Sequence, residues 1–261
     1  MITMRNYNQW VLWSEKERSG KKTKIPLGKN GRATNVTNPI CWKSFDQALE
    51  EKLAHPELFD GIGFCFSEND PYLGIDLDDV KKWYGWEEII KKLDSYTETS
   101  PSGNGYHIIV EGFIPGEINA RKIGSHETGG IEMYDSGRYF TVTLDPLDGR
   151  EEIKKNQEGI AWLFNSIDDK GLISKLMNKP YAKKLQLLWE NRFTLAGYAS
   201  QSEAELAFCR ILANNGAPAH QIDRIYRKTK LFRQKWLEKR GNTTYGKATL
   251  ELATNGDNKN E

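Results

Sequence analysis

Up to about residue 150 the apolar positions of this chain come in short runs of strand length, separated by links rich in Gly, Ser, Asn and Asp. Residues 9–13 (QWVLW), 61–66 (GIGFCF), 72–78 (YLGIDLD), 106–112 (YHIIVEG), 131–134 (IEMY) and 138–144 (RYFTVTL) read as strands. Ser67 to Pro71 is a turn-rich link, so 61–66 and 72–78 are expected to form a hairpin or neighbouring strands. Asp135-Ser136-Gly137 gives the same expectation for 131–134 and 138–144. Two helices interrupt the strands. Ser44-Phe45-Asp46-Gln47 has the spacing of a capping box and opens a helix through about His55, and residues 86–95 carry helical spacing.

Beyond residue 150 the period becomes helical. Residues 151–167 begin with acids, as a helix N-terminus prefers. Ser202-Glu203-Ala204-Glu205 has the spacing of a second capping box, before a helix that stops at Gly216. Pro218 then opens an expected long basic helix over 219–240, ending at Gly241. Asp168-Asp169-Lys170-Gly171 interrupts the pattern. The fold expected is α+β, with a first domain over 1–170, a helical domain over 171–255 and a flexible tail at 256–261.

At 261 residues, 38% hydrophobic and 11% aromatic, the chain can build a real core. No run approaches the roughly 18 apolar residues of a membrane span, and the first residues lack the marks of a signal peptide, so a cytoplasmic protein without membrane contact is expected. Cys41, Cys65 and Cys209 form no CxxC pair, which argues against a thiolate zinc site. The net charge of +1 hides an asymmetry: residues 1–168 hold 20 Lys and Arg against 27 Asp and Glu, and residues 169–261 hold 17 against 9. A basic second part suggests a polyanionic partner, although a solvated basic helix face would look the same.

The candidate chemistry lies in the first part. On a strand, Asp76 and Asp78 project from one face while Ile75 and Leu77 enter the core on the other. Two carboxylates about 7 Å apart along a strand repel unless a cation lies between them, and a hard divalent ion fits oxygen ligands. An acidic solvent face would also produce a lone DxD. Two features add weight: Glu132, flanked by apolar residues on another strand, and the loop Ser100-Pro101-Ser102-Gly103-Asn104-Gly105 running into the strand that His107 begins. Such loops present backbone amides to phosphates.

Taken in order, DxD, SxSGxGxH and an apolar-flanked Glu resemble the motifs of the archaeo-eukaryotic primase superfamily, most closely the primase–polymerases of phages, plasmids and other mobile elements. Lys22-Thr23-Lys24-Ile25-Pro26, Trp42…Phe45…Ala48, Gly61-Ile62-Gly63-Phe64 and Ser136-Gly137-Arg138-Tyr139 extend the likeness over about residues 8–145. Phe232-Arg233…Trp236 and Thr244-Tyr245-Gly246 carry it into the helical part. The resemblance implies an RRM-like catalytic domain followed by a small α-helical domain. It implies a DNA primase or polymerase using two Mg²⁺ or Mn²⁺ ions, nucleoside triphosphates (NTP or dNTP), a single-stranded DNA template with primer, and a replicative helicase as partner.

In that reading Asp76, Asp78 and Glu132 hold the ions. Ser102, Gly103 and Gly105 let amides approach the triphosphate, and His107 bonds a phosphate oxygen. Arg138 offers a fork to phosphate and Tyr139 a stacking ring. Lys22 and Lys24 are candidates for template or phosphate contact, though solvated basic loops carry such residues too. Arg224, Arg227, Lys228, Arg233 and Lys235, interleaved with Tyr226, Phe232 and Trp236, are candidates for single-strand contact; the aromatics would equally suit a core.

Other readings fit less well. Gly241 to Ala248 nearly spells a P-loop, but Ala248 stands where Ser or Thr should bind Mg²⁺. No two of His55, His107, His126 and His220 make the HxH of a nicking nuclease. A Toprim-like enzyme needs an upstream Glu, for which Glu68 in a turn is a poor candidate. A non-catalytic DNA-binding initiator module is the alternative from another class.

Overall fold

The computed structural model describes residues 2–18, 20–28, 31–116, 120–125 and 129–255; the expected tail at 256–261 and His126 lie outside them. The fold is mixed α/β with antiparallel sheets, as an α+β class requires. Two compact units form, Met1–Lys82 with Ile90–Phe164, and Trp83–Ile89 with Asn165–Glu261. Residues 83–89, which lie inside the first domain by sequence order, thus belong to the second unit.

The first unit holds two sheets. One contains β1 (Trp10–Arg18), β2 (Lys21–Leu27), β3 (Gly61–Cys65) and β9 (Tyr139–Val142) in the order β2-β1-β3-β9. The other contains β4 (Tyr72–Asp78), β5 (Tyr96–Thr99), β6 (Tyr106–Glu111), β7 (Ala120–Ser125) and β8 (Gly129–Tyr134) in the order β5-β6-β4-β8-β7. The strands expected from sequence are present, but both expected hairpins are absent. β3 and β4 lie in different sheets, as do β8 and β9. Their links are crossovers, tied together where Phe66 N donates to Arg138 O and Gly137 N donates to Phe66 O. Asp70 locks the first crossover by accepting from the amides of Ser67 and Tyr72 and from the Gln9 side chain.

An aromatic core joins the sheets: Trp10, Phe64, Phe66 and Phe140 from one side meet Tyr72, Tyr96 and Tyr134 from the other. Its rings pack edge to face, as their quadrupoles favour. Gly74 marks a close approach between the sheets. A β-carbon there would come within 2.6 Å of the Phe66 ring and 2.8 Å of the Phe140 ring. On the opposite face of β4, Leu73, Ile75 and Leu77 are fully buried.

Helix α1 (Phe45–Ala54) has the expected reciprocal box: Gln47 N donates to Ser44 Oγ and Ser44 N donates to Gln47 Oε1. Helix α2 (Trp86–Leu93) agrees with the sequence pattern. Helix α3 (Gln157–Ile167) begins six residues later than its acidic start suggests, because residues 154–156 are held extended. Lys155 bridges Glu111, Lys154 N donates to Ser95 Oγ, and Asn156 accepts from Gly159 N as the cap.

The second unit contains α4 (Asp169–Met177), α5 (Ala182–Trp189), α6 (Gln201–Ala213), α7 (Ala219–Tyr226), a short ribbon of β10 (Lys239–Arg240) and β11 (Thr243–Thr244), and α8 (Tyr245–Thr254). Two expectations fail here. The cap of α6 is Ser200, two residues early, because Glu205 turns fully inward rather than capping. The long helix over 219–240 ends at Tyr226: Thr229 Oγ1 donates back to Tyr226 O, and Lys230 N donates to Trp189 O, leaving the helical path. Glu205 instead accepts from the hydroxyls of Tyr226 and Tyr245 and from the Arg233 guanidinium.

Candidate active site

One row of residues crosses the whole five-stranded sheet. In register, Glu98 on β5 faces His107 on β6, His107 faces Asp76 on β4, Asp76 faces Glu132 on β8, and Glu132 faces Lys122 on β7. Directly paired residues in adjacent strands point to the same face, so five ionisable side chains share it. Asp78 lies on this face two residues further along β4, opposite Gly130. The same face is apolar at its other end, where Tyr72 and Gly74 meet the aromatic core. Asp76 and Asp78 are half-buried, and Ile75 and Leu77 occupy the core side, as strand alternation predicts.

The imidazole of His107 is buried and packs beside Phe140, with ring centroids 5.0 Å apart. Its Nδ1 lies 2.9 Å from the Thr141 carbonyl oxygen. A carbonyl only accepts, so Nδ1 carries the proton, and Nε2 faces Asp76 Oδ1 at 3.9 Å. Burial raises the Asp76 carboxyl above its ordinary range. His107 opposes this, the charges of Asp78 and Glu132 add to it, and Lys24 opposes it. Burial also acts to raise Glu132, but hydrogen bonds from Lys122 and Tyr134 outweigh it and hold that carboxyl below the usual range. The Tyr134 hydroxyl is correspondingly pushed up to about 12, by burial and by Glu132.

Among the described residues, no three His, Cys, Asp or Glu side chains converge closely enough to hold an ion as they stand. Glu132 is turned to Lys122 and Tyr134. The donor set nevertheless fits a hard divalent cation: three carboxylates, all oxygen, on one face, with mutual repulsion that raises the proton affinity of Asp76.

The remaining candidates fall into three groups. Lys24 is half-buried and electrostatically coupled to Asp76 and Asp78, with burial lowering its pKa. Lys22 is exposed and paired with Glu15 at 2.7 Å. Arg138 lies over the Tyr134 ring at 5.3 Å and helps hold Glu132 ionised. The Tyr139 hydroxyl donates to the Lys24 carbonyl at 2.8 Å, so the ring ties β9 to β2.

The glycine-rich loop is a folded turn. Gly103 N donates to Ser100 O, Asn104 N donates to Ser102 Oγ, and Ser102 Oγ lies 3.0 Å from Ser100 Oγ. Gly105 is required by crowding, since a β-carbon there would come within 2.2 Å of the Leu77 carbonyl oxygen.

In the second unit, Arg224 forks onto Asp169 with Lys228 on the same carboxylate, and Arg227 pairs with Asp223. Arg233 pairs with buried Glu205, and Lys235 lies 4.5 Å over the Tyr245 ring. Tyr226 and Trp236 are fully buried, so neither ring serves as a stacking platform. Gly246 of the near-P-loop lies against Trp236, where a β-carbon would come within 2.6 Å of the ring.

Sequence reasoning missed Glu98 and Lys122, the two ends of the row. The run Thr97-Glu98-Thr99, an acid between β-branched residues, was the available signal for the first.

The comparisons with known proteins bear on both units. Residues 201–260 match the family model described as the NrS-1 polymerase HBD domain. The DNA primase-polymerase of Nitratiruptor phage NrS-1 is 32% identical over 275 residues, covering 95% of this chain and 36% of that protein. The chain therefore spans about a third of the length of this curated relative.

Proposed function

The chain belongs with the phage-type DNA primase–polymerases, and from that premise we propose that it catalyses template-directed nucleotidyl transfer, from NTP or dNTP to a 3′-hydroxyl. The observation that carries this reading is the register of β4: Asp76 stands opposite His107 on one neighbour and opposite Glu132 on the other. Three motifs distant in sequence thereby meet on one sheet face, which is read as the RRM-like element of a catalytic domain in the first unit.

Asp76, Asp78 and Glu132 would hold Mg²⁺ or Mn²⁺. Such ions, when bound, stabilise the attacking and leaving oxygens of a phosphoryl displacement. The side chains of this chain do the positioning. Asp76 and Asp78 approach from one strand and Glu132 from the next, with Lys122 and Tyr134 keeping Glu132 ionised. His107 presents Nε2 toward the acidic face, with its ring aimed from behind by the Thr141 carbonyl; with Nδ1–H engaged there, a phosphate oxygen would accept from Nε2 of the doubly protonated ring. Lys24 and Arg138 supply positive charge beside the same carboxylates and suit the β- and γ-phosphates. Ser102 and Gly103 lie on the turn leading into this face. Preorganised charge of this kind supplies most of what a phosphoryl transfer needs from a protein.

Single-stranded DNA is the polyanion expected to meet the basic second unit. Lys228, the exposed member of its pair with buried Asp169, which Arg224 also holds, can exchange partners for phosphate; Arg233, on fully buried Glu205, is structural. Tested by primer extension with labelled nucleotides and Mg²⁺ or Mn²⁺, the wild type should extend, and Asp76→Ala or Asp78→Ala should lose activity by about a thousandfold or more. DNA binding by a wild type that never extends a primer would favour the initiator-module reading.

A further inference from the structure

Glu98 belongs to no sequence motif considered above, yet it is fully buried beneath the proposed site. Among the described residues no lysine or arginine forms an ion pair with it, and Lys24 acts on it only through space; its direct partners are dipoles. Oε1 accepts from Thr143 N at 3.0 Å, and Oε2 accepts from Thr143 N at 3.0 Å, Leu144 N at 3.2 Å and the Tyr96 hydroxyl at 2.7 Å. Oε1 also lies 3.5 Å from His107 Nδ1. Burying a carboxylate is costly, and a neutral side chain would bond the same amides at lower cost. The charge is therefore informative about what it faces.

The two oxygens divide the work. Oε2 alone reaches all three donors, two of them the amides that follow β9 and the third the Tyr96 hydroxyl on β5. Oε1 is the atom turned toward the imidazole. Thr141, whose carbonyl accepts the Nδ1 proton, lies on the same segment that the Glu98 oxygens hold through Thr143 and Leu144. Glu98 thus acts on the ring twice, through space by Oε1 and through the backbone by anchoring Thr141. Both contacts engage Nδ1–H and aim Nε2 at the Asp76 side, where a ring that also carries a proton on Nε2 would donate it to a phosphate oxygen.

We propose that Glu98 is a positioning residue that holds the Nδ1–H contact and the aim of His107, and through them the affinity for the nucleotide triphosphate. The nucleotide clause rests on the function proposed above; the ring-aiming clause does not.

The substitution Glu98→Gln tests this with little disturbance. The amide oxygen can take the Oε2 position and keep all three donors. The NH₂ then replaces Oε1 and confronts the Nδ1 proton, donor against donor, and also loses the second acceptor of the Thr143 amide, which Oε2 retains. Long-range proton–nitrogen spectra of protein labelled at its four histidines, with His107→Asn used to assign the ring, read the tautomer directly at a fixed pH. The wild type should show a protonated Nδ1 at His107, and Glu98→Gln should lose that signature while keeping its circular dichroism. An unchanged ring in Glu98→Gln overturns the proposal whether or not the protein is a polymerase.

Primer extension then tests the second clause. Glu98→Gln should raise the nucleotide KM about tenfold, the loss of one charge-assisted hydrogen bond, with kcat within about threefold. In a His107→Ala background the same substitution should have no further effect on KM. An equal tenfold effect in both backgrounds means Glu98 acts elsewhere and overturns the second clause. A wild type with an aimed ring but no extension contradicts the proposed function and leaves the first clause standing.

Discussion

Asp76 stands where two strand registers cross, opposite His107 and Glu132, and the charge interactions of the proposed site converge on it. Burial and the neighbouring carboxylates raise its proton affinity in the folded state. A carboxyl with a raised folded pKa stabilises the fold below its unfolded value, and that contribution is lost as pH rises through the folded value. Asp76→Asn should therefore make the metal-free protein more stable at pH 7, by roughly 0.5–2 kcal/mol, while abolishing extension. The difference should vanish as pH falls below about 3, under the unfolded carboxyl's value, where residue 76 is neutral in both states of either protein. Urea unfolding at the two pH values checks this, and equal midpoints at pH 7 would contradict it. At this scale the sequence was highly legible. DxD, a strand-initiating His and an apolar-flanked Glu are local patterns, and strand alternation alone puts Asp76 and Asp78 on one face. Glu98 and Lys122 were not legible, because their meaning comes only from the strands beside them.

Elements show the reverse balance. Every strand run read from the sequence is a strand, yet the two turn-like links, 67–71 and 135–137, are crossovers between sheets rather than hairpins. Their turn chemistry is real: Asp70 closes the first by accepting from Ser67 and Tyr72. What no local pattern conveys is that the links bond to each other through Phe66, Gly137 and Arg138. The basic segment after Pro218 fails for a similar reason. Its apolar spacing suits one helix, but Lys230 leaves the path to bond Trp189, and Trp236 enters the core.

Two element-level outcomes follow from close contacts. Gly105→Ala places a methyl against the Leu77 carbonyl and should cost about 1–3 kcal/mol while disturbing the start of the strand that carries His107. Thermal melting measures the first effect, and nucleotide KM the second. Glu205→Ala leaves the Arg233 guanidinium without its buried partner and should destabilise the second unit by about 3 kcal/mol or more. Denaturation followed by tryptophan fluorescence, to which Trp236 contributes, reads this out; a change below about 1 kcal/mol would contradict the buried network.

For the whole molecule, Arg224, Arg227, Lys228 and Arg233 are committed to internal ion pairs with Asp169, Asp223 and Glu205, four cations on three acids, so most of the excess of Lys and Arg after residue 168 lies outside these pairs. If about three phosphates are neutralised, single-strand affinity should fall about twentyfold between 50 and 200 mM salt, with a slope near −0.7 per contact. Fluorescence anisotropy with an oligonucleotide measures it, and salt-independent binding would exclude an electrostatic DNA surface. No helix among the described residues is long and apolar enough to cross a membrane. The relationship to a phage primase-polymerase over 95% of the chain covers both units, so chemistry and template contact are to be tested together. The most direct test is crystallographic: anomalous scattering from crystals soaked with Mn²⁺ and a non-hydrolysable nucleotide. The account predicts a peak about 2.1–2.2 Å from carboxylate oxygens of Asp76, Asp78 and Glu132, with Glu132 released from Lys122. A well-occupied nucleotide with no manganese at those three side chains would contradict it.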